Sequence, residues 1–574
     1  MNNVTNDPVQ IMTSRLWSVT LLFSCFFLII LLRLYYLQIY TSSELNYLGQ
    51  KNFLRKEKIT SLRGNILDRS GKLLATNKPL FHVVWHPTGN KTITAQQEHI
   101  IEIFKRLLPG TDAEEIIKAE RLGKKYVVAR DVTLETINEL IERFGKHPNI
   151  TIETDFKRHY PHNSIACHML GYIGIANKEI AGKMGLEKLL HEDLKGISGE
   201  KLNIVNSTGK KLQELLIHYA QDGRDVRTTL DLTVQTMAET IFPQEYQGTL
   251  LAINPKNGEI LAMLSRPSFD PNIFLSAITH SMWSTMQENN PFINRCFEAC
   301  YPPASLFKLV TVSAAIGEEL ITPETQWSCS GDLDFCGRKY HCHNLHGHGT
   351  LDIQEALAQS CNIHYYSIGK KIKINTLAHY AHMFGLGEST GIVLPEKLGL
   401  IPTSQWKYAT TKQPWWPGET LSATIGQTYL LTTPAQALRM VAGIVEGSLV
   451  KFKLFMDEPV ESRELELDSS IRSFLKESLK QVITKGTGRK LKQLHDIVIY
   501  GKTGTAQTSD LSKRELGMKL YMEHAWFVCH AQYKNYDPIA FIVFIENVGS
   551  SSYAKQVAYT FLREYCAMLD KQNA

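Results

Sequence analysis

The first thing the apolar positions form is one unbroken block. Trp17 to Leu32 carries no charge and is bracketed by Arg15 and Arg33. If Arg33 snorkels to the interface, the block runs on through Leu34, Tyr35, Tyr36 and Leu37, and a helix of about 20 residues crosses a bilayer. Leu, Tyr and Gln follow it where a cleavable signal would show small residues. The block therefore reads as a retained anchor, 17–37, behind a short cytoplasmic tail, 1–16. Lys51, Arg55, Lys56 and Lys58 lie beyond it against Arg15 before it, a count that does not support an N-terminus-inside topology, but the rule is weak for a large translocated domain and does not decide the orientation. No later stretch is long and apolar enough to span again, so everything after about residue 40 belongs on one side.

From 41 to about 230 charged helical stretches alternate with short strands, among them Lys72 to Ala75, and Asp68-Arg69-Ser70-Gly71 reads as a turn. The pattern then tightens. Leu230 to Phe242 has a helical period. Thr249 to Ile253 and Glu259 to Ser265 are strands joined at Asn257-Gly258, a hairpin signal. Asp496 to Tyr500, Ala525 to His530 and Pro538 to Glu546 read as strands, and Tyr553 to Leu569 as a helix. Strands at both ends of a helical middle predict an α/β domain, 231–574, with an antiparallel sheet flanked by helices, preceded by a non-catalytic α+β domain, 41–230.

Composition adds limits. At 574 residues the chain holds two or three domains. Hydrophobic content of 43% with 21% charged residues is that of a folded protein, and a net charge of +5 without a concentrated basic face does not argue for nucleic-acid binding.

Three short motifs carry candidate chemistry. Ser305-Leu306-Phe307-Lys308 follows Tyr301-Pro302-Pro303-Ala304, and prolines suit a helix entrance. Ser305 is expected at the N-terminus of a helix running through Ile316, with Lys308 one turn later on the same face. A desolvated lysine beside a serine can act as its base, and the helix end favours negative charge there. Ser360-Cys361-Asn362 falls within an expected helix from Leu357 to Ile368. Lys502-Thr503-Gly504-Thr505 follows a strand, where glycine lets a ligand approach the backbone and the lysine and hydroxyls can hold a carboxylate. Ser-x-x-Lys alone arises by chance. The ordered set of three is the one associated with penicillin-binding proteins and class A β-lactamases.

With these motifs, and with Arg63-Gly64-Asn65-Ile66-Leu67-Asp68-Arg69-Ser70-Gly71, Arg158 to Pro161, Gly171 to Gly174 and Gly185-Leu186-Glu187 before them, the sequence resembles the class B penicillin-binding proteins, closest to the penicillin-binding protein 2 group. The resemblance implies a penicillin-binding transpeptidase fold on a pedestal of dimerisation-domain type. It implies a serine-type D-Ala-D-Ala transpeptidase that cross-links peptidoglycan stem peptides during cell elongation and is acylated by β-lactams. It also implies roles. Ser305 is the nucleophile and Lys308 takes its proton. Ser360 relays a proton to the leaving amine, and Asn362 orients Lys308 and the substrate amide. Lys502 and Thr503 hold the terminal carboxylate beside Gly504, and the N–H groups of Ser305 and Thr505 form the oxyanion hole. The implied setting is the bacterial cytoplasmic membrane, with the catalytic domain outside the cytoplasm. The implied partners are a SEDS-family glycan polymerase and elongation scaffold proteins. Three positions depart from the pattern: Ala304 for glycine, Asn362 for aspartate, and Cys529 for glycine.

Cys329, Cys336, Cys342 and Cys361 cluster in sequence with His341, His343, His346, His348 and His364. Such donors suit structural zinc. Spacing does not choose among them; the resemblance implies Cys329, Cys342, His348 and Cys361. A disulfide, Cys336 with Cys342 for instance, is the alternative in an oxidising compartment. Other functions for the chain are a β-lactamase or penicillin sensor, the division-specific transpeptidase of the same class, and a scaffold without activity. No glutamate for deacylation is apparent, Trp415-Trp416-Pro417-Gly418 and the cysteine-rich segment favour the elongation group, and the intact Ser305, Lys308 and Lys502 speak against a scaffold.

Overall fold

A computed structural model describes residues 8–45, 53–88, 92–145, 147–176, 179–205, 211–276, 278–288, 290–507 and 521–572. A helix from Pro8 to Tyr35 continues as a π-helical segment, Tyr36–Tyr40. Arg15–Tyr40 has a mean hydropathy of 2.2 and no side chain buried by the rest of the protein, which makes it a candidate membrane anchor. It contains the expected 17–37 block.

Two compact units follow the contacts rather than a single cut near residue 230. The first takes Met1–Leu62, Lys78–Lys157 and Lys195–Gly223; the second takes Arg63–Asn77, Arg158–Leu194 and Arg224–Ala574. In the first unit, helices Ala95–Leu107, Ala113–Leu122 and Leu134–Phe144 begin at Thr94, Asp112 and Thr133, each of whose side chains accepts from a backbone N–H of the first turn. Their apolar faces pack Ile100, Phe104, Ile116, Ile137 and Leu140 around Val83, Trp85 and Val128. A separate three-stranded sheet pairs Leu54–Ile59 with Gly199–Val205, and that with Lys211–His218.

Within the second unit the elements used below are α1 (Leu232–Ile241), β1 (Gly248–Ile253), β2 (Ile260–Arg266), α2 (Lys308–Gly317), α3 (Ile353–Ala358), α4 (Asn362–Gly369), α5 (Pro434–Glu446), α6 (Ser469–Thr484), β3 (Ile497–Ala506), β4 (His524–Tyr533), β5 (Ile539–Ile545) and α7 (Ser551–Gln572). The strands form an antiparallel five-stranded sheet in the order β2-β1-β5-β4-β3. Alternate residues of β4 and β5 enter different cores. Phe527, Cys529, Phe541 and Val543 pack with Phe561 and Leu562 of α7, while Trp526, Val528, Ile542 and Phe544 pack with the core of α2 and α5. Both faces are covered, which is why Ile539–Ile545 reads as a continuous apolar run rather than an alternation. β3 is an edge strand, and its free edge leaves backbone groups for a ligand.

The pedestal-type motifs acquire a physical reason in this unit. Arg63 and Arg158 both bind Glu187, at 2.6 and 2.7 Å, and Tyr160 donates to the same carboxylate at 3.1 Å. The Glu187 side chain is fully buried. Asp68 accepts from the N–H groups of Ser70 and Lys72, both at 2.8 Å, which makes the expected turn. The expected strand Lys72 to Ala75 is the start of a 13-residue strand, Leu73–Trp85, of which Leu73 to Asn77 belong to this unit.

Candidate active site and cysteine cluster

Ser305 sits in a 3₁₀ turn, Ala304–Leu306, that leads into α2. The turn opens with Ala304 at φ +50°, in the left-handed region where a Cβ is unfavourable. The Ala304 N–H donates to Gly426 O at 3.0 Å. A Cβ on Gly426 would lie 2.1 Å from Ala304 O, so only glycine lets the two backbones meet.

Lys308, fully buried at the start of α2, makes the contacts that join the motifs. Its Nζ lies 2.7 Å from Ser360 O, 2.8 Å from Asn362 Oδ1 and 3.2 Å from Ser360 Oγ. Ser360 Oγ is in turn 2.9 Å from Ser305 Oγ. Among the described residues the Ser305 hydroxyl thus meets Ser360 and makes no direct bond to Lys308, the residue expected to take its proton. Burial brings Lys308 down to about 8. The ring of Tyr365, also buried, lies 5.1 Å from Nζ.

The second motif departs from the expected continuous helix. α3 ends at Ala358 and α4 starts at Asn362, and between them Ser360 adopts φ +56° while Cys361 is extended at the N-cap. The break turns both the Ser360 carbonyl and its hydroxyl towards Lys308. Such a φ for a serine is strained and persists only where surrounding contacts enforce it.

The third motif lies on β3, against the Ser305 turn. Lys502 is fully buried; burial, and then the charge of Lys308, hold it well below its usual value. Its Nζ lies 3.2 Å from Thr503 O. Thr503 Oγ1 meets Thr487 Oγ1 at 2.7 Å. A Cβ on Gly504 would press on the Trp526 side chain at 3.1 Å. Thr505 is exposed on the same strand.

Of the sequence-clustered cysteines and histidines, Cys329, Cys342, His348 and Cys361 converge, their donor atoms all within 4.8 Å of one another. His348 Nδ1 is 3.6 Å from Cys329 Sγ and 3.5 Å from Cys342 Sγ, and the Cys342 and Cys361 sulfurs are 4.0 Å apart. A tetrahedral ion with bonds of about 2.3 Å to sulfur and 2.0 Å to nitrogen needs S···S near 3.8 Å and S···N near 3.5 Å, so the donors fit zinc. Cys361 donating to Cys342 lowers the pKa of Cys342 and raises its own: the pair gives up a first proton readily and holds the second. Cys336, His341, His343 and His346 are exposed, and His364 is buried with Nδ1 3.2 Å from Cys361 Sγ. No two cysteines are joined as a disulfide. The cluster touches the second motif directly. The Asn362 N–H faces Cys342 Sγ at 3.4 Å, and Asn362 Nδ2 donates to His341 O at 3.2 Å.

A family profile described as the penicillin binding protein transpeptidase domain matches residues 248–564, over half the chain. The chain belongs to the penicillin-binding protein family. The penicillin-binding protein dimerisation domain matches residues 58–228. The peptidoglycan D,D-transpeptidase MrdA of Acinetobacter baumannii is 30% identical over 95% of this chain and 86% of its own. The penicillin-binding protein 2 of Helicobacter pylori, solved in complex with MreC, superposes with a TM-score of 0.75 at 26% identity, covering 90% of this chain and 99% of the other. A chain of a peptidoglycan synthase complex, described as coordinating polymerization and crosslinking, has a TM-score of 0.75 at 29% identity, covering 97% and 98%. Within the family the likeness is to the penicillin-binding protein 2 group.

In this penicillin-binding protein the eight residues named from the three motifs stand on the Ser305 turn, α2, the α3–α4 break and β3, and all four named metal ligands converge. Cys529, one of the three positions that depart from the pattern, lies opposite Gly501 on β4 and fills the core against α7, fully buried, with burial pushing its thiol well up. Sequence reasoning missed Tyr365 and Thr487, and nothing in the sequence marked either.

Proposed function

We propose that this chain acts through Ser305 as the acylated nucleophile of a peptidoglycan D,D-transpeptidase. The observation that carries this reading is the Ser305–Ser360–Lys308 chain closed by Asn362. A neutral lysine amine has two N–H donors and one lone pair. The donors are taken by Ser360 O and Asn362 Oδ1, which leaves the lone pair facing Ser360 Oγ. The Ser305 proton then moves to Ser360 Oγ as the Ser360 proton moves to Lys308 Nζ, and Ser305 Oγ bonds to the carbonyl carbon of the penultimate D-Ala. The reverse relay protonates the departing D-Ala amine. The amine of a second stem peptide repeats the cycle on the acyl-enzyme. Lys502 and Thr503 hold the terminal carboxylate beside Gly504, and the N–H groups of Ser305 and of Thr505 on the free edge of β3 face the oxyanion.

β-Lactams acylate the same serine because their ring amide and carboxylate copy this substrate. Cys329, Cys342, His348 and Cys361 would hold a structural zinc, whose bonds would tie the segment 329–348 to the start of α4 and supply nothing to the acyl transfer. The Asn362 bonds to Cys342 and His341 O would carry that tie to the site. The chain is anchored in the bacterial cytoplasmic membrane with its catalytic unit on the outer side. By likeness to the H. pylori complex and the synthase complex, it works with an elongation scaffold protein of the MreC kind and a SEDS-family glycan polymerase.

Fluorescent penicillin should label the protein covalently, and Ser305→Ala should abolish labelling while the circular dichroism is kept. Undiminished labelling of the folded alanine variant would refute the assignment.

A further inference from the structure

Between α6 and β3 the chain passes through Gly486-Thr487-Gly488. The passage is closely packed. A Cβ on Gly486 would sit 2.2 Å from Ala358 O, and the Gly488 N–H bonds Val482 O at 2.9 Å. Thr487 is held so that its three polar groups reach three elements. Its N–H donates to Ala358 O, the last residue of α3, at 3.2 Å. Its carbonyl accepts from Lys555 Nζ of α7 at 3.1 Å. Its hydroxyl meets Thr503 Oγ1 at 2.7 Å. One residue therefore ties the third-motif strand to the end of the helix that leads into Ser360.

We propose that Thr487 is a positioning residue for recognition of the substrate's carboxylate, acting through Thr503; this rests on the reading above in which Thr503 binds that carboxylate. The direction of the hydrogen bonds follows from proton counting. An ionised carboxylate only accepts, and a threonine hydroxyl has a single proton. Thr503 must spend its proton on the carboxylate, so it offers Thr487 a lone pair and Thr487 must be the donor. That donation fixes the Thr503 rotor towards the ligand and polarises its O–H. Thr503 is only 4% exposed, which leaves little room for water to replace the lost partner. Thr487 touches neither Ser305 nor Lys308, so its effect should fall on carboxylate recognition and spare the proton relay.

The test uses the full chain in detergent and compares acylation by benzylpenicillin with acylation by its methyl ester, which keeps the reactive ring but not the anionic acceptor. Thr487→Val should lower the second-order acylation constant for the acid about tenfold, the upper end of what one neutral hydrogen bond contributes. It should leave the ester nearly unchanged, and Thr487→Ser should retain most of the acid rate. The acid-to-ester ratio is internal to each variant, and Thr487→Ala gives the same readout should the valine variant fold poorly. An equal loss for acid and ester would mean general distortion and would overturn the proposal, as would no loss for either. Equal rates for acid and ester in the unsubstituted protein would instead remove the carboxylate role of Thr503 itself, and the proposal with it.

Discussion

Gly426→Ala tests whether the Ser305 turn is set by backbone contact. Gly426 has φ +74°, and a Cβ there would stand 2.1 Å from Ala304 O and 2.7 Å from Ala304 N. Uncharged heavy atoms need roughly 3.5 Å, so Ala304 must retreat by about 1 Å. Ser305 is the next residue, and its 2.9 Å contact with Ser360 would open with it. A displacement of about 1 Å in a reacting group costs on the order of 100-fold in rate. The left-handed backbone adds about 1–2 kcal/mol of strain to the folded state. Stopped-flow acylation with a fluorescent penicillin measures the first effect; thermal melting followed by circular dichroism measures the second. The companion Ala304→Gly relieves φ +50° without entering the cleft, so it should hold or raise the melting temperature and keep the acylation rate. A Gly426→Ala variant that acylates and melts like the unsubstituted protein would refute the reasoning.

Three further outcomes are expected. Because the base form of Lys308 is the neutral amine and burial sets it near 8, acylation should climb about tenfold per pH unit below that value and level above it; a rate flat from pH 6 to 9 would exclude Lys308 as the base. The purified protein should carry about one zinc per chain by elemental analysis, lose melting temperature on chelation, and acylate more slowly as Cys361→Ser but not as His346→Ala; metal-free protein with normal acylation would reject the site. Glu187→Gln should destabilise the second unit by about 3–5 kcal/mol in urea unfolding, because it leaves the buried Arg63 and Arg158 without their counter-charge; an unchanged midpoint would show that the cluster is not structural.

Much of the catalytic unit was legible because its strands are apolar enough to read singly and its motif residues are chemically distinctive. The break at Ser360 was not. Leu357 to Ile368 has a helical composition, and the left-handed φ at Ser360 is imposed by bonds such as that from Lys308, 52 positions away. Glu187 could be read as part of a resemblance but not as a charge cluster, since its partners lie 124 and 29 positions distant. The strand Leu73–Trp85 runs on past the expected Ala75 through Asn77-Lys78-Pro79, residues that disfavour a strand locally and so cut the reading short. The metal ligands illustrate the opposite limit. Four donors were named through the resemblance, since only the fold could separate His348 from the exposed His341, His343 and His346.

The central claim is that Ser305 becomes acylated through the Ser360–Lys308 relay, and the mass of the protein after brief exposure to benzylpenicillin tests it most directly. The account predicts one added penicilloyl mass per chain, carried after digestion by the peptide that contains Ser305 and absent from Ser305→Ala. An adduct on any other peptide, or an intact chain of unchanged mass, would contradict it.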